Sequence, residues 1–143
     1  MYFRKLGIVA TLVLITAACS KQAIIKTSND KEQTGLIGSW QWVQSDGGLS
    51  YHVLTPASTG KQMALKLTDS TYAFYTNNAL TAQGTYQMET RACIHDHTQK
   101  PFLNFSTGNG FMIEAQRHDS LFLSDENYDG MGSVYVRAAN EIK

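Results

Sequence analysis

From residue 36 onward, apolar side chains recur at every second position in short runs, the period of a strand with one buried face. Ile37 to Gln44 reads "IGSWQWVQ", with Trp40 and Trp42 on one side. Gln62 to Thr68 reads "QMALKLT", where Met63, Leu65 and Leu67 face one way and Lys66 the other. The same alternation returns in "TYAFYT", "LTAQGTYQMET", "PFLNFST", "FMIEAQR", "SLFLSD" and "SVYVRA". Gly84 inside the fourth run predicts a bulge or bend. Asp69-Ser70, Asn77-Asn78, Gly108-Asn109-Gly110 and His118-Asp119 stand between runs and predict tight turns. No stretch carries the period of a long amphipathic helix. The pattern predicts an all-β domain over 36–143. Eight antiparallel strands in sequence predict an up-and-down β-barrel, which leaves no open edge. A β-sandwich is the alternative with the same strand count.

The N-terminal pattern is different. Arg4 and Lys5 precede Leu6 to Ile15, an apolar run of about ten residues, too short to span a hydrocarbon core of roughly 30 Å as a helix. It reads as a secretory signal. In "LITAACS", Ala17 and Ala18 stand directly before Cys19, and this resembles the lipobox of bacterial lipoproteins. The resemblance implies cleavage after residue 18, a lipid on Cys19 and a membrane as partner through that anchor. Ser20 is not the aspartate that such proteins use for inner-membrane retention, and Ser20-Lys21-Gln22-Ala23 carries no acidic export run. It therefore implies the periplasmic face of an outer membrane. Residues 19–35 are polar and without period, and read as a flexible tether.

Composition narrows the function. Removing Arg4 and Lys5 takes two of the 12 basic residues and leaves the 12 acidic ones in excess by two. That balance is no footprint for nucleic acid, which wants a basic face. With Cys19 acylated, Cys93 has no thiol to pair with, so the core alone must hold the fold.

Gly38-Ser39-Trp40 is a G-x-W at the start of the first strand. Together with "GSWQWVQSDGG", "GTYQ" and "LFLSDENYDGMGSVYVR" it resembles the lipocalin-like lipoproteins of Bacteroidota-type bacteria, across the whole domain. In lipocalins the G-x-W tryptophan closes the barrel base and an arginine near the end of the last strand packs across it. By position, Trp40 and Arg137 fit those roles. Two departures bear on function: the domain is short for a ligand-binding lipocalin, and the disulfide common among them is missing.

Three clusters invite chemistry. Asp125-x-Asn127-x-Asp129-Gly130 looks like the first half of a calcium loop, but Val136 stands where the bidentate glutamate belongs, and strands flank it. A plain turn is the expectation. Cys93, His95 and His97 would project from one face of an extended segment, with His52 or His118 in reach as a further zinc or copper ligand. The competing expectation is a solvated loop with Cys93 packed as a small apolar residue. No nucleophile stands beside a base, and no phosphate-cradling loop or H-E-x-x-H occurs, so neither an enzyme nor a cofactor is expected. What remains is a small-molecule carrier or an interaction module. In the first, Trp42, Tyr72, Phe74, Tyr86, Met88, Phe105 and Phe111 line an apolar cup under a lid formed by Ser45 to Gly60. In the second, the same residues fill the core and the exposed loops hold an envelope protein.

Overall fold

The computed structural model describes residues 35–117 and 119–139. The signal-like run, Cys19, the tether up to Thr34 and His118 lie outside the described residues. The strands are β1 (Gly38–Gly47), β2 (His52–Leu54), β3 (Met63–Leu67), β4 (Thr71–Thr76), β5 (Ala79–Ala92), β6 (Gln99–Phe105), β7 (Phe111–Arg117), β8 (Ser120–Ser124) and β9 (Met131–Arg137). One helical turn, α1 (Pro56–Thr59), stands between β2 and β3. Each of the eight alternating runs is one of these strands. β2 is the addition.

Neighbouring strands pair antiparallel in chain order from β3 to β9, and β9 closes the sheet on β1, so the fold is an eight-stranded barrel with one extra strand. β1 is long enough to serve two partners on one edge. Gly38 to Gln41 pair with β3, and Ser45 to Gly47 pair with β2 in a hairpin. The residues expected to form a lid thus fold back on β1. Leu49 is 86% exposed and Tyr51 66%, so this hairpin turns its apolar side chains to solvent instead of over a cup.

Local sequence accounts for the turns. Asn77 and Asn78 both take positive φ (50° and 65°), the paired left-handed conformation of a two-residue hairpin, which asparagine adopts at little cost. α1 is fixed by a capping box, Thr55 accepting from the Ser58 N–H and Ser58 from that of Thr55, and it ends at Gly60 in the left-handed region.

Gly84 makes no bulge. The register of β4 and β5 shifts at Phe74/Tyr75, whereas Gly84 pairs squarely with Tyr72. A Cβ there would run into Ser106 Oγ and stand 3.0 Å from the Tyr72 ring. The glycine is needed because Tyr72 lies across it.

The barrel interior is one apolar cluster, with Trp40, Leu65, Leu67, Leu103 and Leu121 wholly buried and Met63, Phe74, Tyr86, Phe105 and Phe111 packed at its margin. A second, small core of Cys93, Phe102 and Met112 lies apart from it. Phe102 and Met112 pair directly and stand one residue from the inward Leu103 and Phe111, so strand alternation turns them to the outer wall.

Candidate functional site

At the base, Trp40 and Arg137 are register partners on β1 and β9. The guanidinium lies 4.2 Å over the indole, donates from Nη1 to the Ile37 carbonyl (3.0 Å) and from Nη2 to that of Gly35 (2.6 Å), and faces Asp119 at 3.5 Å. The indole Nε1 donates to the Leu36 carbonyl at 2.8 Å. One cation thus ties the first strand, the last strand and the entering chain together.

The seven residues expected to line a cup divide into four groups. Trp42 and Tyr72 are buried and spend their polar ends on the protein: Trp42 Nε1 donates to Ser45 Oγ (2.8 Å), itself bonded to Ser133 Oγ (2.7 Å), and the Tyr72 hydroxyl donates to the Thr107 carbonyl (3.0 Å). Phe74, Phe105 and Phe111 join Tyr72 in a self-packed aromatic cluster. Tyr72 stacks on Phe105 with centroids 4.1 Å apart, and Phe74, Phe105 and Phe111 meet edge to face at 5.6 to 6.2 Å. Tyr86, half-buried, sends its hydroxyl to the Thr68 carbonyl at 2.7 Å. Met88 falls outside the set. It pairs with Leu103 but is 38% exposed, because β4 accompanies β5 only as far as Thr85 and leaves the Met88 edge of β5 without a neighbour.

Rings that stack on one another leave no room between them. Among the described residues, two cavities open, and neither lies between these rings. One of about 400 Å³ lies at the base beside Ser39, Lys66, Thr68 and Arg137, and one of about 560 Å³ lies against the β4–β5 wall beside Tyr72, Gln83, Gly84 and Ser106.

The segment "SDENYDG" is the hairpin between β8 and β9. Asp125 N donates to the Met131 carbonyl (3.0 Å), Gly130 N to that of Asn127 (3.0 Å), and Asp125 Oδ2 accepts from Met131 N at 3.4 Å. Asp125 is thus used on the backbone of its own turn, while Asn127 and Asp129 are exposed. Cys93, His95 and His97 do not share a face. Residues 94–96 form a turn, Cys93 is buried with Phe102 and Met112, His95 stands edge-on to Tyr128 at 5.7 Å, and His97 takes φ 58°. An extended run was the wrong premise, because Asp96 accepts from the Thr98 N–H (3.0 Å) and hydroxyl (2.7 Å) and closes the loop. Those two bonds hold its carboxyl below the usual range. Among the described residues no three His, Cys, Asp or Glu side chains converge as a metal site.

What the sequence did not announce is a clasp on the outer wall. Arg91 pairs with Glu126 and with Glu89 (2.9 Å), and its guanidinium lies 3.8 Å over the Phe102 ring. Glu126 also accepts from the Ile94 N–H at 3.1 Å. Lys100 meets Glu114 at 3.3 Å, which lifts the ammonium pKa. Comparison of the chain with family models, with curated proteins and with solved structures finds no match.

Proposed function

We propose that this is a lipid-anchored, non-catalytic protein of the bacterial cell envelope, whose lipocalin-like barrel is a filled scaffold that presents loops to a protein partner. The anchor rests on Cys19 after its short apolar run. The observation that carries the filled-scaffold reading is the packing of Tyr72, Phe74, Phe105 and Phe111 on one another, which uses the volume a carrier would keep open. The β1–β2 hairpin supplies the contact surface, since Leu49, Tyr51 and Val53 expose apolar area on a segment held by backbone pairing at Ser45 to Gly47. Aromatic and branched side chains on a rigid hairpin give contact area at low entropic cost.

A second reading, capture of a small apolar ligand, is favoured by one observation: Phe74, Tyr86, Phe105 and Phe111 are only half-buried, so an apolar molecule could reach their edges. One preparation separates the two. The full-length protein, with a photo-cross-linking residue at Tyr51, is irradiated in its own envelope, purified in mild detergent and extracted with solvent. The filled-scaffold reading expects a discrete cross-linked envelope protein and no stoichiometric extract. A small molecule recovered at one per chain, without a cross-link, transfers the function to the aromatic cluster.

A further inference from the structure

Every junction between consecutive strands of the barrel wall is knitted by backbone register at four or more positions, except one. β6 and β7 meet only at Phe102↔Met112 and Leu103↔Phe111. Below these positions Pro101 has no N–H to give, and β7 bulges in its pairing with β8 between Ile113 and Ala115. The same β6 is bound on its other side to β5 at seven positions, from Tyr86↔Phe105 to Ala92↔Gln99. The β5–β6 hairpin is therefore much more firmly joined within itself than to the wall beside it.

Side chains hold what the backbone does not. Outside the barrel, the Cys93, Phe102 and Met112 core bridges the hairpin to β7, and Arg91 and the Ile94 N–H grip Glu126 from the β8–β9 turn. Lys100 and Glu114 form a second tie, with Ser124 Oγ donating to Glu114 at 3.0 Å. Inside, the seam is closed by Phe105 against Phe111 at 5.8 Å.

We propose that the β5–β6 hairpin is a hinged arm that swings away from β7 along this two-position seam, and that the Arg91–Glu126 clasp sets how often it opens. Such an opening gives up two register positions, the Cys93 core, the ion pairs to Glu126 and Glu114 and the inner contacts of Leu103 and Phe105, while the other junctions of the barrel stay paired, so it costs less than global unfolding. It uncovers Cys93, and the Cys93 thiol therefore reports it.

The experiment treats the full-length acylated protein in mild detergent with N-ethylmaleimide and follows the Cys93 peptide by mass spectrometry. Native protein should react faster than it unfolds globally. Glu126→Gln, which keeps the side-chain shape and loses the ion pair, should raise the rate roughly tenfold with the melting midpoint nearly unmoved. A disulfide across the seam from Lys100→Cys with Glu114→Cys should return the rate to that of global unfolding. Labelling that tracks global unfolding in native protein and in Glu126→Gln alike overturns the proposal. If a variant does not fold, hydrogen exchange of the native protein decides. Amides of β6 and the seam positions of β7 should exchange well before those of β8 and β9, and equal protection across β6 to β9 overturns the hinge.

Discussion

Tyr135 pairs with Trp42 on one side and Leu121 on the other, pointing into the barrel, and burial together with the nearby Asp125 carboxylate pushes its pKa up to about 12. A phenol that holds its proton more tightly in the fold than in the unfolded chain stabilises the fold below pH 10, and that stability is lost as pH rises from 10 to 12. The difference is worth about 2–3 kcal/mol. Between pH 8 and pH 11, stability measured by denaturant should fall by about 1.4 kcal/mol in the native chain, half of the full difference because pH 11 lies midway between the two pKa values, and Tyr135→Phe should remove most of the slope. An unchanged slope in the variant would mean another group governs alkaline unfolding. At the base, Trp40 is wholly buried, so Trp40→Ala should cost about 3–5 kcal/mol. Arg137→Ala loses a cation over the indole, roughly 0.5–2 kcal/mol, and also leaves the Gly35 and Ile37 carbonyls without their donor. Denaturation midpoints of both variants test the closure, and two unmoved midpoints would mean that these residues do not close it.

Among the elements, the β8–β9 hairpin makes the clearest demand. Its turn is closed by Asp125, Asn127 and Gly130 through their own backbone, so the fold asks no ion to hold it. Calcium held only by these side chains would reach no better than about 10⁻⁴–10⁻³ M. At about 1 mM calcium that affinity adds only about 0.4–1.4 kcal/mol. Thermal midpoints in chelator and in calcium should therefore lie within a few degrees, in the native chain and in Asp125→Ala alike. A large calcium-dependent gain that vanishes in the variant would make the turn a metal loop. The eight barrel strands were legible because each carries its own alternation. β2 was not, since "HVL" has exposed side chains throughout and pairs only because β1 overhangs β3. The Cys93 segment was legible as an irregular loop with Cys93 packed as a small apolar residue, and it is one; what no period reveals is the turn that Asp96 makes with Thr98, which removes the extended alternative.

For the whole molecule, closure was legible and content was not. Strand count and the first and last runs predict a barrel, but whether Tyr72, Phe74, Phe105 and Phe111 surround a cup or fill a core depends on distances between strands far apart in sequence. The outer clasp was hidden for the same reason, with Arg91 and Glu126 separated by three strands' worth of chain. The anchor is a different kind of inference, resting on residues before the barrel, and it predicts where the molecule acts. An apolar run of about ten residues can engage the secretion machinery but is too short to hold a protein in a bilayer as a span, so under the proposed anchor retention would fall to a lipid on Cys19. Ordinary thiol chemistry does not substitute for it, because Ser at that position offers no sulfur to acylate. Cys19→Ser should therefore accumulate as an uncleaved precursor, take up no radioactive palmitate and fail to enter the outer-membrane fraction, while the barrel still folds. Palmitate labelling that persists in Cys19→Ser would remove the anchor, and with it the assignment of this barrel to the membrane face.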